Sequence, residues 1–375
     1  MLRLFVTGDN HIGLKYASHE KSAVLASKRI EAFEAMVKAA NREDCAVFVI
    51  TGDLFESTRA VLKGDIKSLL ETLSYFNGTV VVLPGNHDYY DDNAKIWQSF
   101  REVMSSYDNI MLLTDYRPYE VTSNGENIVF YPALCTSLHS ASGQNNLNWI
   151  RETSIDRSSS YHIGIAHGAV EGETIDNEGQ YFLMKRSELE SIPVDAWLIG
   201  HTHVPFPRNL TEEFSPCDKI FNAGTHVQTD VSCNTEGVCF IVEIAENKTV
   251  RAKKFVSGNL RFYRLNVAVA AGEMEKTIAH ELADMDNNSV VDIILTGAVT
   301  VEEYEMRHKI LEKALERFVE GTYNDYSLSK LISADLIDAE FAETSFSAGL
   351  LKSLLEEPKE AQLVYELLKS MKEGR

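Results

Sequence analysis

The chain has 375 residues, of which 44% are hydrophobic and 25% charged, a composition typical of a soluble protein with two or three domains. Its net charge of −20 at pH 7 is opposite in sign to the basic surface of a stand-alone nucleic-acid-binding protein. The longest apolar runs are shorter than the roughly 20 residues of a membrane span, and the N-terminus does not resemble a signal peptide. The five cysteines are scattered without a C-x-x-C pair, which favours reduced thiols in the cytoplasm over disulfides or a zinc knuckle.

The first 135 residues alternate between strand and helix patterns. Apolar runs at 4–7, 45–51 and 79–83 predict buried strands, and periodic apolar positions predict helices at 20–41, 59–76 and 94–105. Strands that alternate with helices pair in parallel through right-handed crossovers. This part of the chain is therefore predicted to form one parallel sheet covered by helices.

Shorter strands dominate from about residue 109. Strands are predicted at 119–122, 127–131, 161–166, 195–199, 219–221, 237–244 and 249–255, and an exposed loop at 209–217. This pattern indicates a second sheet packed on the first.

The pattern restarts near residue 258. Strands are predicted at 262–269, 290–295 and 326–331, and helices at 273–285 and 302–319. The tail from 333 is helical again, with one apolar face formed by Leu363, Val364, Leu367, Leu368 and Met371. That face is interpreted either as packing on its own protein or as a helix that docks a partner. Residues 261–375 contain 13 Lys and Arg against 22 Asp and Glu, a net charge of −9.

Five apolar runs each end in residues that can bind a metal ion. The donors delivered in this way are Asp9, His11, Asp53, Asn86, His167, His201 and His203. Because open α/β sheets collect their chemistry at the carboxyl ends of the strands, we expect these donors at one edge. The set has oxygen and nitrogen donors without a thiolate, which suits Mn²⁺, Fe²⁺ or Zn²⁺.

The spacing of the donors suggests how a pair of ions is held. The pairs at 9/11 and 201/203 are separated by one residue, so both side chains of a pair point the same way on extended backbone. Asp53 is the lone acid of its motif and is the natural bridge between two ions, which together would activate a water for attack on a phosphoester. His87 would then protonate the leaving oxygen or stabilise the transition state. A lone Asp-x-His is more often a surface or capping motif, but the joint occurrence of all five pieces favours a metal centre.

The five motifs together resemble those of the calcineurin-like metallophosphoesterase superfamily. They read GDNH at 8–11, GD at 52–53, GNHD at 85–88, AHG at 166–168 and GHTH at 200–203, in the family's order. The resemblance covers about residues 1–255. It implies that Asp9, His11, Asp53 and His203 hold one ion, and that Asp53, Asn86, His167 and His201 hold the other. It also implies that His87 is the catalytic histidine and that Asp88 orients it.

Within that superfamily the chain looks most like the SbcD-type nucleases of double-strand-break repair, including bacterial YhaO-like members. GDLF at 52–55, LPGNHD at 83–88 and a small α/β module that contains LTG at 295–297 carry this resemblance. The chain departs from the pattern at 222–225, where Asn-Ala-Gly-Thr replaces the usual Pro-Gly-Ser. It also has Glu56 where archaeal and eukaryotic members have a histidine, so the role of that histidine is not transferred. His226, which follows this segment, could line the pocket.

The resemblance implies an α/β fold made of three parts. These are a two-sheet αββα metallophosphoesterase sandwich at 1–257, a small α/β capping domain at 258–332, and a C-terminal helical segment at 333–375 that could dock a partner. It further implies a cytoplasmic homodimer that dimerises through helices of the phosphoesterase core, acts on DNA and works with an SMC-like coiled-coil ATPase of the SbcC class. No association with a membrane is expected.

The resemblance leaves three functions open. The first is a DNA exonuclease and endonuclease of the SbcD type with two divalent ions, Mn²⁺ before Fe²⁺ or Zn²⁺. The second is hydrolysis of a small phosphoester, such as a nucleotide or cyclic nucleotide, or of a phosphoprotein. The third is a non-enzymatic scaffold, which the complete ligand set and His87 oppose, because scaffold versions of the fold tend to lose ligands.

Overall fold

A computed structural model describes residues 1–59, 61–141, 144–156, 160–172 and 180–372 of the chain. The chain divides into two compact units, Met1–Arg261 and Phe262–Arg375. The finer division of the sequence at 258 and 333 stays a prediction.

In the described part of unit 1, the first sheet has seven strands. In chain order they are β1 (Leu2–Thr7), β2 (Val47–Ile50), β3 (Thr79–Val82), β4 (Ile110–Leu112), β9 (Ser215–Pro216), β11 (Val238–Ile244) and β12 (Val250–Val256). Their spatial order is β4-β3-β2-β1-β11-β12-β9, with β1 to β4 parallel and the remaining pairs antiparallel. The helices α1 (Ser22–Arg42), α2 (Lys63–Ser74) and α3 (Lys95–Met104) connect the parallel strands. The predicted alternation of strands and helices is therefore confirmed.

The second sheet of unit 1 has five strands. They are β5 (Tyr119–Ser123), β6 (Glu126–Ala133), β7 (Tyr161–His167), β8 (Ala196–Gly200) and β10 (Ile220–Asn222), in the order β10-β8-β7-β6-β5. Only β5 runs antiparallel to its neighbour, and the short helices α4 (Asn148–Glu152) and α5 (Arg186–Ser191) belong to this half.

The main hydrophobic core lies between these two sheets. Val6 and Val49 from the first sheet join Phe130, Ile163 and Leu198 from the second in one buried cluster. Because side chains alternate along a strand, the remaining residues of each strand face outward, toward the helices. On the outer face of the second sheet, for example, Trp197 clusters with residues of α4 and α5. The predicted two-sheet α/β sandwich is confirmed.

Unit 2 carries its own sheet and helices. The strands β13 (Arg261–Ala270), β14 (Ser289–Val299) and β15 (Glu320–Lys330) form a three-stranded sheet with β14 in the centre and parallel to β15. The helices are α6 (Met274–Leu282), α7 (Val301–Leu315), α8 (Ala334–Glu340), α9 (Phe346–Ser353) and α10 (Pro358–Lys372). One apolar cluster joins the sheet to α6 and α7, and a second joins α8, α9 and α10. None of the described helices is long and apolar enough to cross a membrane.

Three strand predictions were wrong in detail. The segment predicted as a loop at 209–217 contains β9, and β4 was not predicted. The strand predicted at 326–331 begins at Glu320, because its exposed residues are mostly polar and hide the pattern of a strand.

Candidate metal centre

The carboxyl ends of the central strands deliver the predicted metal ligands to one place. Asp9 follows β1, Asp53 follows β2, Asn86 follows β3, His167 ends β7 and His201 follows β8. The loops after β1 and β2 are fixed to each other, since the amide of Asp9 donates to Gly52 O at 3.1 Å and that of His11 to Asp53 O at 2.9 Å. The parallel register of the sheets therefore assembles donors that are far apart in sequence.

The backbone at these ligands is left-handed. The angle φ is positive at five ligands, namely Asp9, His11, Asp53, His201 and His203, where it ranges from 46° to 113°. The extended backbone assumed for the pairs at 9/11 and 201/203 is thus replaced by tight loop conformations. Such non-glycine residues cost about 1 kcal/mol or more each and cluster at functional sites.

One group of donors is centred on Asn86. Its Oδ1 lies 2.9 Å from His167 Nε2 and 3.1 Å from His201 Nδ1. His167 Nε2 is also 3.1 Å from Asp53 Oδ2. These four side chains are the ones that the family resemblance assigns to a single ion.

A second group lies on the other side of Asp53. His11 Nε2 is 2.8 Å from His203 Nε2 and 3.9 Å from Asp53 Oδ2. The Asp9 carboxylate accepts hydrogen bonds from the amides of His201, at 2.7 Å, and His203, at 3.1 Å. Because Asp53 Oδ2 contacts one group and approaches the other, its position suits a bridging carboxylate.

The chemistry of these donors fits two divalent ions. Two ring nitrogens at 2.8 Å, as in His11 and His203, repel through their lone pairs unless a proton or a cation lies between them. Asp53 is 1% exposed and Asp9 is fully buried, so both carboxylates are removed from water and favour a bound cation. The described residues would therefore hold one ion beside His11 and His203 and another beside Asn86 and His167.

Burial and charge shift the pKa values of these groups in opposite directions. Burial opposes a charged His167, but the Asp53 carboxylate outweighs it and raises the pKa of His167 to about 9. Burial likewise opposes ionised Asp53, but His167 outweighs it and holds the pKa of Asp53 far below its usual range. Burial and the positive charge of His167 lower the pKa of His201 to about 4. Without a metal, His167 and Asp53 form a buried ion pair, and an arriving cation must displace the His167 proton.

His87 stands beside the second group, and its ring is oriented by the Glu56 backbone. Its Nδ1 donates to Glu56 O at 3.2 Å, and its ring meets that of His11 edge to face, with 4.9 Å between centroids. The fully buried Asp88 carboxylate instead accepts from the amides of Phe55, at 3.0 Å, and Gly85, at 2.6 Å. The contact expected from Asp88 to the His87 ring is therefore replaced by the Glu56 carbonyl. Burial, followed by the charge of Asp53, raises the pKa of Asp88 to about 7.

A cleft of about 920 Å³ opens at this side of the centre. Its floor includes His11, Glu56, His87 and His203. Apart from histidines, Arg208 is the one cationic side chain among the described residues that line it. His226 does not line the cleft: it is fully buried, and its Nε2 lies 2.8 Å from Arg29 O.

Arg29 is a further residue of the site, and it was not predicted from the sequence. Its guanidinium is fully buried and donates twice to Asn10 O, at 2.9 and 2.6 Å, and once to Val227 O, at 3.0 Å. It thereby fixes the loop between the predicted ligands Asp9 and His11 to helix α1. The available signal was an arginine on the apolar face of a predicted helix, four residues before Phe33.

Comparison with known proteins found one family model and several solved structures that are similar to this chain. A model of the calcineurin-like phosphoesterase family matches residues 2–205, a stretch that includes every predicted site residue. Among solved structures, a dimetal phosphatase from Danio rerio is similar at a TM-score of 0.36 and 9% identity, over 65% of this chain and 93% of that one. A purple acid phosphatase from yellow lupin (Lupinus luteus) seeds is similar at a TM-score of 0.37 and 12% identity, over 64% of this chain and 49% of that one.

Proposed function

The chain belongs to the calcineurin-like phosphoesterase family, and from this premise we propose that it is a two-metal phosphodiesterase that cleaves DNA, an exonuclease and endonuclease of the SbcD type. The observation that carries the chemistry is the position of Asp53 between two groups of nitrogen and oxygen donors, with His87 beside them. Hydrolysis of a phosphoester bond is the activity that this arrangement supports.

The ions, when bound, supply the positive charge that activates water and stabilises the phosphoryl oxygens. Asp53 fixes the loop that carries His87, because its Oδ1 accepts the His87 amide at 2.8 Å. The Nδ1 hydrogen of His87 is held by the Glu56 carbonyl, which leaves Nε2 as the atom that exchanges a proton. When His87 is protonated, the Nε2 proton passes to the leaving oxygen as the P–O bond breaks.

The sequence motifs and the domain order support the SbcD-type assignment. The motifs at 52–55 and 83–88, followed by a separate α/β unit, resemble those of the SbcD-type nucleases. We propose two divalent ions as the cofactors, Mn²⁺ before Fe²⁺ or Zn²⁺, all of which suit a donor set without thiolates. The proposed process is repair of DNA double-strand breaks.

The partner proposal follows from charge and from an exposed apolar stripe. At a net charge of −20, the chain needs a basic surface from elsewhere to hold DNA strongly. Helix α10 buries Ala361 and Tyr365 in its own unit, but Leu363, Leu367 and Met371 are 58% to 70% exposed at four-residue spacing. We propose that this stripe docks an SMC-like coiled-coil ATPase of the SbcC class and that the nuclease is a cytoplasmic homodimer.

A second candidate is hydrolysis of a small phosphoester, such as a nucleotide or cyclic nucleotide, or of a phosphoprotein. The observation that favours it is the charge of the cleft: Arg208 is the one non-histidine cation among its described lining residues. A DNA strand carries a phosphate at every nucleotide, whereas a small ester needs only one or two cationic contacts.

The test is Mn²⁺-dependent degradation of linear and hairpin DNA, with bis(p-nitrophenyl) phosphate as the small diester. Wild type is compared with His87→Ala and with His280→Ala, which removes an exposed histidine of helix α6. Cleavage of DNA that only His87→Ala abolishes, while metal still binds, supports the nuclease. Turnover of the small diester without DNA cleavage, even with the ATPase added, supports the small-substrate enzyme. If neither substrate turns over with both ions bound, the enzymatic proposal fails and the scaffold replaces it.

A further inference from the structure

Glu56 touches both the metal centre and the catalytic histidine. Its Oε2 lies 2.9 Å from His11 Nδ1, on the side of the ring opposite the metal-facing nitrogen. Its carbonyl accepts the Nδ1 hydrogen of His87 at 3.2 Å. The side chain of Glu56 is 32% exposed, so this carboxylate is partly withdrawn from water.

The backbone holds Glu56 in place on both sides. Its own amide donates to Ile12 O at 3.0 Å, next to the ligand His11. The preceding amide, that of Phe55, donates to the buried Asp88 carboxylate at 3.0 Å. The carboxylate is therefore presented to His11 by a fixed loop and not by a freely moving surface chain.

This contact decides which nitrogen of His11 carries the hydrogen. A carboxylate only accepts hydrogen bonds, so Nδ1 of His11 must be the donor. In the neutral ring, Nε2 then has the free lone pair, and Nε2 is the atom that faces His203 and Asp53. The same contact makes Nε2 a stronger ligand, because negative charge behind a histidine raises its basicity.

Among the described residues, His167 of the other group has no charged support of this kind. His167 Nδ1 donates to the backbone carbonyl of Thr51 at 2.9 Å, a neutral partner that a side-chain substitution does not remove. A change at Glu56 should therefore act on one ion and leave the other unchanged.

We propose that Glu56 is a positioning residue that tunes one of the two metal sites, the one formed by His11 and His203. This inference rests on the two-metal centre of the proposed function. It gives Glu56, at the position where the sequence departs from archaeal and eukaryotic nucleases, a metal-affinity role of its own. The two ions then bind with unequal support from the protein: one ring is backed by a carboxylate, the other by a carbonyl.

The test is Mn²⁺ binding to metal-free, full-length protein by titration calorimetry and equilibrium dialysis, with no substrate present. In Glu56→Ala we expect one of the two binding constants to fall by about 10–100-fold and the other to stay at its wild-type value. Glu56→Gln keeps an acceptor oxygen but loses the charge, so it should partly rescue the lost affinity. Asp230→Asn is the matched control, because it neutralises another carboxylate of the cleft without touching His11.

Four outcomes would overturn the inference. They are an unchanged Mn²⁺ affinity in Glu56→Ala, a fall in affinity of equal size at both of its sites, a fall in Asp230→Asn as large as that in Glu56→Ala, and no recovery of affinity in Glu56→Gln. The thermal midpoint of each metal-free variant shows whether it is folded. If Glu56→Ala is unfolded, Glu56→Gln decides the question, and it should show a smaller fall in Mn²⁺ affinity at one site only. Two ions bound by wild type without hydrolysis of any ester would refute the proposed function alone, whereas a wild type that binds no ion would refute both.

Discussion

Replacement of Arg29 by methionine tests whether a buried arginine holds the first ligand loop. Methionine has a similar length and fills the space with an apolar chain, so the change removes the guanidinium without opening a large cavity. Val227 O would keep a partner, because Thr225 Oγ1 also donates to it at 2.9 Å. Asn10 O would lose both of its donors within the part of the chain that the structure describes.

The expected loss of stability follows from that one carbonyl. A buried acceptor left unpaired costs about 1–3 kcal/mol, and relief from burying a charge offsets the loss of the remaining hydrogen bonds. We therefore expect the free energy of unfolding of metal-free protein to fall by about 1–3 kcal/mol. Mn²⁺ should also bind more weakly, because Asn10 lies between the predicted ligands Asp9 and His11.

Urea denaturation in EDTA measures the first effect, and titration of Mn²⁺ measures the second. Arg42→Met, at the exposed end of the same helix, is the matched control and should change stability by no more than about 1 kcal/mol. An unfolding midpoint and an Mn²⁺ affinity that both equal those of wild type would contradict the proposed role of Arg29. Such a result would mean that the loop is held without Arg29.

Three further predictions concern other parts of the molecule. In Gly85→Ala the new Cβ would overlap Asp53, so equilibrium dialysis should show that both ions are lost. The control Gly64→Ala places its Cβ in open space and should keep both ions. Retention of both ions by Gly85→Ala would contradict the bridging position of Asp53. The pKa of about 9 for His167 means that this ring is protonated at pH 7 without metal. The Mn²⁺ affinity should therefore rise between pH 6.5 and pH 8 by up to about tenfold per pH unit, and calorimetry should detect proton release on binding. An affinity that does not depend on pH would contradict the ion pair with Asp53. The Thr300 side chain accepts a hydrogen bond from the Glu303 amide in a capping box at the start of α7. Urea denaturation of Thr300→Ala should therefore show that unit 2 is destabilised by about 0.5–2 kcal/mol. An unchanged unfolding midpoint would show that the cap is dispensable.

The sequence predicted the parallel core and the set of donors because both follow local rules. An apolar run that ends in Gly-Asp or Gly-His shows a buried strand and its loop, and parallel strands bring their ends together. The way those donors divide into two groups around Asp53 depends on loop conformations that no periodicity encodes. The left-handed backbone at Asp9 and His203 is one such case.

The contacts missed from the sequence are long-range. Arg29 reaches Val227, which is 198 residues away, and Glu56 reaches His11, which is 45 residues away. Asp88 looked like the partner of its neighbour His87, but the tight turn after β3 directs its carboxylate to the amides of Phe55 and Gly85. In each case, tertiary structure selects one partner among several that the sequence allows.

The most direct test of the two-metal account is the rate of bis(p-nitrophenyl) phosphate hydrolysis at defined numbers of bound Mn²⁺ ions per chain. Metal-free protein is loaded stepwise, the bound ions are counted by elemental analysis, and the rate is measured at each step. If both ions are needed, turnover should be negligible with one ion per chain and should rise with occupancy of the second site. Full turnover with a single ion, or a rate that does not depend on bound metal, would contradict it.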